Sequence, residues 1–251
     1  MTADRSHADW DGATYDRIAD PMTRWGSGVL ERLPLRGDET VLDAGCGSGR
    51  VTEQLLERLP DGRVVAADAA PSMLVEARRR LERFGDRVRF VECDLGCPLP
   101  VDGPVDAVFS TATFHWVPDH EALFANLAAV LRPGGRLVAQ CGGAGNLASV
   151  QRVLVEVGEA WPGPWTFATP EETSARLAAA GFVDVDTWLQ DEPTVIEPGE
   201  PLEMFLRTVI LRSHLERRPE GQRDDFVRAV ADRLAGRPID YVRLNIMATR
   251  A

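Results

Sequence analysis

From residue 40 onward, stretches of strand character alternate with stretches of helical periodicity, and this alternation limits the possible folds more than any other feature of the chain. Strand candidates span residues 39–44, 63–68, 88–94, 105–110 and 136–141, with two more at 182–189 and 240–248. Val64-Val65-Ala66-Ala67 is continuously apolar, as a strand covered by helices on both faces requires. Between the strands lie helical patterns with start and stop signals. Asp119 is placed to cap a helix whose Leu123, Phe124, Leu127, Val130 and Leu131 form one stripe, ended by Pro133-Gly134-Gly135. Such repetition predicts a doubly wound, mostly parallel α/β sheet.

The flanks differ from this core. Tyr15, Ile18, Met22, Trp25 and Val29 recur at steps of three and four, and Asp20-Pro21 restarts the pattern. Two helices are therefore expected before the first strand, either packed on the sheet or closing as a lid over a ligand. Beyond Gly142-Gly143-Ala144-Gly145 come a helix, the aromatic loop Trp161-Pro162-Gly163-Pro164-Trp165, and a helix opened by a Thr169–Glu172 capping box. Helical stretches at 200–217 and 220–235 separate the last two strands. The expected organisation is N-terminal lid helices over 1–38, a core over 39–144, and the rest of the sheet over 145–251. The last part carries a helical cap at about 145–180 and 199–237.

Composition excludes several function classes. The 251 residues are 44% hydrophobic, so a sizeable core is expected. With 28 Lys and Arg against 39 Asp and Glu, the net charge is −11, which disfavours nucleic acids and anionic membranes as partners. Cys46, Cys93, Cys97 and Cys141 form no C-x-x-C pair and no His-containing zinc spacing, so they read as structural thiols and no metal is expected. The first ten residues lack an apolar signal core, and no apolar run approaches the ~18 residues of a membrane span. The expectation is a soluble cytoplasmic protein. Its oligomeric state is not specified by the sequence.

The sharpest local signal is Val41-Leu42-Asp43-Ala44-Gly45-Cys46-Gly47-Ser48-Gly49, a strand entering a glycine-rich turn before a helix. Ligands of open α/β sheets bind beyond the carboxyl ends of the strands, and glycine lets backbone pass close to them. The third glycine of a dinucleotide-type G-x-G-x-x-G would stand one residue after Gly49, and no G-K-[ST] ending follows. Asp68 ends the second strand, where a carboxylate can accept from a ribose diol or instead cap the next helix. Asp94, followed by Leu95, ends the third and is placed either to accept from an adenine amine or simply to be solvated.

These strand-terminal acids, together with Leu131-Arg132-Pro133-Gly134-Gly135 before the fifth strand, resemble the class I S-adenosylmethionine-dependent methyltransferases over roughly residues 10–145 and again at the last strand. The resemblance implies a seven-stranded Rossmann-like sheet and S-adenosyl-L-methionine as cofactor. It puts Asp43, Gly45 and Gly47 beside the cofactor's amino-acid end and Asp68 on the ribose. Ala69 and Met73 would line the adenine pocket, Asp94 and Leu95 would contact adenine, and Ser110 or Thr111 would face the methionyl part. Tyr15 and Arg24 match positions that reach the cofactor carboxylate, although Arg24 reads equally as a solvated helix charge.

Past the fourth strand, Thr113-Phe114-His115-Trp116-Val117-Pro118-Asp119-His120 lies at the rim of the expected site. Trp116 to His120 is similar to trans-aconitate methyltransferases, and His-Trp-Val also to juvenile hormone acid methyltransferases; both esterify small carboxylic acids. The resemblance implies O-methylation of a carboxylate on a small-molecule acceptor. Hydroxyl, phenol, N- or C-methylation with His115 as base is the alternative within the class. An NAD-dependent oxidoreductase or a non-catalytic cofactor-binding module is the alternative outside it. His115 is the candidate catalytic residue, and Trp116, Trp161, Trp165 and His214 are candidates for acceptor binding. Phe205, Arg207 and Arg212 on the cap have the same chemistry, and His120 reads as solvent-facing.

Overall fold

The computed structural model describes residues 20–251, with side chains from Thr23 onward. The expected first N-terminal helix, with Tyr15, lies outside the described residues. Helix α1 (Asp20–Leu30) leads into β1 (Thr40–Ala44), α2 (Arg50–Glu57), β2 (Arg63–Asp68), α3 (Pro71–Leu81), β3 (Val88–Glu92) and β4 (Val105–Thr111). A single 3₁₀ turn, Phe114–Trp116, precedes α4 (His120–Val130) and the long β5 (Leu131–Gly142). Then follow α5 (Ala148–Glu156), α6 (Pro170–Ala179), β6 (Phe182–Asp191), α7 (Glu200–Phe205), α8 (Arg212–Glu216), α9 (Arg223–Leu234) and β7 (Val242–Arg250).

The seven strands pair in the order β3-β2-β1-β4-β5-β7-β6. Only β7 runs antiparallel to its neighbours, β5 and β6. Strand alternation sorts side chains into two cores. Val41, Val64, Ala66, Ala107 and Phe109 pack with Leu30 of α1, Leu55 and Leu56 of α2 and Leu74 of α3. Leu42, Val65, Val91 and Val108 pack on the other face with Leu123, Phe124 and Leu127 of α4 and Leu177 of α6. Helix layers on both faces explain why these strands lack polar alternation.

Helix ends follow local chemistry. The Asp119 carboxylate accepts from the Ala122 amide at 2.9 Å. Thr169 and Glu172 form both bonds of their capping box, at 3.2 and 3.0 Å. Helix α4 ends three residues before Pro133, because Leu131 is buried and pairs with Val105 of β4. Pro133-Gly134-Gly135 then forms the irregularity before Arg136 pairs with Ala107.

A third hydrophobic core lies outside the sheet. Val150, Val153 and Leu154 of α5 pack with Leu202, Phe205, Leu206, Ile210, Val227 and Val230, and with Trp25 of α1. This is the cap, inserted after β5 and again between β6 and β7. The expected cap segment 145–180 is therefore divided: α5 joins the cap, whereas α6 covers the sheet through Leu177. Between α7 and α8 the chain takes one π-helical turn, Leu206–Ile210, closed by the Leu211 amide donating to the Leu206 carbonyl at 2.7 Å.

Candidate active site

The carboxyl ends of β1 to β4 open into one cavity of about 870 Å³, roofed by the cap. That volume lies within the range of ~300–1,000 Å³ usual for small-molecule sites. After β1 the amides of Gly45 and Cys46 both donate to the Ala67 carbonyl, at 2.8 and 2.9 Å, clamping the glycine turn to β2. Gly45 has φ +86°, and a Cβ there would stand 2.1 Å from Thr113 Oγ1. Gly47 has φ +54° and borders open cavity, with no atom within 4 Å of the position a Cβ would take. Both conformations favour glycine.

Asp68 is fixed at the tip of β2 by two amides, Gly47 N–H donating to Oδ2 at 2.8 Å and Ala70 N–H to Oδ1 at 2.9 Å. Asp94 accepts from the Gly96 amide at 2.8 Å. Asp43 is buried beneath the turn and accepts from the Thr52 hydroxyl at 2.7 Å. Burial, assisted by the neighbouring Asp68 charge and opposed by the Thr52 bond, pushes the Asp43 carboxyl up to about 7. Asp43, Gly45, Gly47, Asp68, Ala69, Met73, Asp94, Leu95 and Thr111 all line this one cavity. Ser110 stands behind it, its buried hydroxyl donating to the Ala44 carbonyl at 2.6 Å. Arg24 is exposed on α1 and lies outside the cavity lining, where Arg50 of α2 is found instead.

The opposite wall is aromatic. His115 and Trp116 face the cavity with Trp161 and Trp165 from the irregular loop. Trp116 and Trp165 meet edge to face with ring centres 6.0 Å apart, and Phe167 stacks on both Trp165 and His115. The loop is anchored by the Thr166 amide, which donates to the His115 carbonyl at 2.9 Å. His115 Nδ1 accepts from the Gly142 amide at 3.2 Å. Burial first, then the nearby Arg243 charge, hold this imidazole well below its ordinary range, so the ring is neutral.

Two other histidines depart from their expected positions. His214 is fully buried behind the tryptophan pair, its Nε2–H donating to the Trp161 carbonyl at 3.2 Å, and it supports the wall without lining the cavity. His120 is buried rather than solvated, because its Nε2–H donates to the Phe114 carbonyl at 2.9 Å and its ring packs against Phe124. Arg207 pairs with Asp224 at the surface, and Phe205 belongs to the cap core. All four cysteines are free thiols. Among the described residues no cluster suits a metal ion, and no helix is long and apolar enough to cross a membrane.

Several cavity residues escape sequence reasoning: Arg243 and Tyr241 near the start of β7, Asn146, and Arg217 of the cap, whereas Arg212, a candidate from the sequence, does line the cavity. Arg243 carried a signal, a charge flanked by Val242 and Leu244 in an apolar strand. Arg217 lies over the Trp161 ring at 4.4 Å, and Arg212 Nε donates to Glu216 at 2.9 Å.

Residues 41–135 match a family model described as a methyltransferase domain. A trans-aconitate 2-methyltransferase of Azoarcus sp. is 33% identical over 230 residues, covering 88% of this chain and 87% of that protein. That of Methylobacterium nodulans is 36% identical over 182 residues, 72% of this chain and 67% of its own length. Among solved structures, a Haemonchus contortus phosphoethanolamine N-methyltransferase 2 with S-adenosylhomocysteine superposes with TM-score 0.66 at 18% identity, over 95% of this chain and 56% of that one. The geranyl diphosphate C-methyltransferase of Streptomyces coelicolor gives 0.59 at 20% identity, over 99% and 86%. At these identities the structural likeness speaks for the fold alone.

Proposed function

The chain belongs to the trans-aconitate 2-methyltransferase family of S-adenosylmethionine-dependent methyltransferases, and we propose that it esterifies a carboxylate of a small, multiply charged acid of the trans-aconitate type. The cofactor supplies an activated methyl group on a sulfonium sulfur. The cavity fits such a molecule: a glycine turn whose Gly47 leaves open space where a Cβ would stand, the Asp68 carboxylate fixed by two amides, and apolar walls from Met73 and Leu95. In this reading Asp68 accepts from the ribose hydroxyls, and Ala69, Met73, Asp94 and Leu95 hold the adenine. Asp43, Gly45, Gly47 and Thr111 border the amino-acid end. Arg50 is a cation lining this cavity on the glycine-turn side, where Arg24 does not reach the lining.

The observation that carries the carboxylate reading is the state of His115. A neutral imidazole has one donor and one acceptor nitrogen. With Nδ1 accepting from Gly142, the proton resides on Nε2, so the ring can donate a hydrogen bond but has no free site to take a proton. A phenol or alcohol acceptor gains from a base, whereas a carboxylate of pKa ~4 is already ionised at neutral pH. His115 therefore serves as a donor that orients an acceptor oxygen, with Trp116, Trp161 and Trp165 as walls. Holding the nucleophilic oxygen in line with the transferable methyl is the main task, and such positioning contributes ~7–11 kcal/mol in favourable cases.

The test is incubation of the purified enzyme with methyl-labelled S-adenosylmethionine and trans-aconitate. A product one methyl heavier, from which mild alkali releases the label as methanol, is expected. Alkali-stable label, the mark of an ether or of an N- or C-methylated product, overturns the reading.

A further inference from the structure

Three arginines stand on α8 or just after it, and they differ in how their charge is met. Arg212 donates through Nε to Glu216 at 2.9 Å, and Arg218 through Nη2 to Glu159 at 2.7 Å. Arg217 has no such partner. Among the described residues no carboxylate or carbonyl accepts from its guanidinium, which lies over the Trp161 ring, 4.4 Å from its carbon to the ring centre. A guanidinium over an aromatic face uses none of its N–H groups on the ring, so its planar fork stays available to acceptors. Arg217 is exposed and also lines the cavity, which puts it at the mouth.

The seat beneath it is built from the cap. The Trp161 amide donates to Glu159 Oε1 at 3.0 Å, its carbonyl accepts from the buried His214, and its ring lies 4.8 Å from the His214 ring, centre to centre. Arg212, Ser213, Glu216 and Arg217 share the cavity side of this segment, whereas Leu211, His214 and Leu215 are buried. A chain of net charge −11 repels a polycarboxylate at long range. An unneutralised cation at the mouth offsets that repulsion where an acceptor enters.

Resting on the carboxylate-methylating function above, we propose that Arg217, seated on Trp161, is the capture site for polycarboxylate acceptors and selects them by charge before they reach His115 and the methyl donor. It has no part in methyl transfer or in holding the cofactor. A charge at the rim of a binding site acts chiefly on association and its salt dependence. The preference for a tri-acid over a mono-acid is therefore widest at low ionic strength and narrows as salt screens the guanidinium.

The experiment compares wild type with Arg217→Gln, Arg217→Glu and Arg217→Lys. Cofactor affinity is measured by calorimetry, and KM and kcat for trans-aconitate and for a mono-acid of similar size; a mono-acid that is not turned over is scored by its inhibition constant. Salt is varied from about 0.01 to about 1 M, over which the screening length falls from ~30 to ~3 Å. At low salt R217Q is expected to raise KM for trans-aconitate about two- to five-fold, the range of an exposed charge pair, with kcat and cofactor affinity unchanged. R217E should add a further loss of similar size, R217K should keep most of the wild-type preference, and the mono-acid should respond less than trans-aconitate. At high salt the variants should converge on wild type. Equal KM for trans-aconitate in wild type and R217Q at low salt, equal losses for the two acids, or a loss that high salt leaves intact overturns the assignment. An R217K as impaired as R217Q also overturns it, since that marks a structural role of the arginine in seating Trp161. A wild type that esterifies no acid removes the proposed function and this site with it, whereas an active wild type with an indifferent R217Q removes only the role of Arg217.

Discussion

Asp68 shows how one side chain ties the fold to the ligand. It receives the amides of Gly47 and Ala70, so it braces the glycine turn while standing at the cavity. Asp68→Ala should therefore weaken S-adenosylmethionine binding by about ten- to a hundred-fold, the range of a lost charge-assisted bond; calorimetry measures it, and unchanged affinity would place the carboxylate outside the nucleoside site. Gly45 acts by absence. Alanine there would need φ +86° and a Cβ 2.1 Å from Thr113 Oγ1, so Gly45→Ala should lower the melting temperature and abolish cofactor binding together. The left-handed conformation alone costs a non-glycine residue roughly 1–2 kcal/mol. His115 makes a third case. Since burial keeps it neutral and Gly142 occupies Nδ1, kcat for a carboxylate acceptor should be flat from pH 6 to 9. An inflection removed by His115→Gln would restore the ring as a base.

At the scale of elements, the capping box of α6 separates stability from activity. Thr169→Ala removes one of its two bonds, outside the cavity lining, and should cost ~1 kcal/mol in denaturant unfolding while leaving KM and kcat unaltered. Boxes, caps and apolar strand runs depend on neighbours in sequence, which is why β1 to β5, Asp119 and Thr169 were legible before any coordinates. The strand-tip acids were legible for the same reason, since an open sheet gathers its carboxyl ends on one side. What stayed hidden depends on partners distant in sequence. Period-two alternation in β7 assigns Arg243 and Asn245 to solvent, yet α1 and the turn after it cover that face, with Trp25 under Arg243 and Arg32 bonded to Asn245. His120, read as solvent-facing, and His214, read as an acceptor ligand, differ for the same reason: each is buried by a turn or loop arriving from elsewhere in the chain. The division of 145–180 between cap and sheet likewise turns on where Leu177 packs, which its own helix cannot reveal.

The molecule as a whole holds two titrating groups against solvent with opposite signs. Asp43 has its carboxyl raised from 3.8 to about 7 when folded, so the native state keeps a proton that the unfolded chain loses near pH 4. Its favourable contribution is complete below that pH and is lost as pH rises through 7. His115 is kept neutral when folded, whereas the unfolded ring takes a proton near 6.5, so its contribution is lost as pH falls below that value. The two slopes are separable with Asp43→Asn, which mimics the protonated carboxyl at every pH. Relative to wild type, D43N should gain stability with rising pH by about 1.4 kcal/mol per unit at most between pH 4 and 7 and then level off. Denaturant unfolding of both proteins from pH 5 to 8 measures this, and a difference independent of pH would mean that Asp43 is ionised beneath the turn. The same proton links folding to the ligand. A cationic cofactor near Asp43 favours the ionised carboxylate, so S-adenosylmethionine affinity should rise from pH 6 to 8. Affinity for S-adenosylhomocysteine, whose sulfur is uncharged, should rise less, and D43N should remove the difference between the two pH profiles.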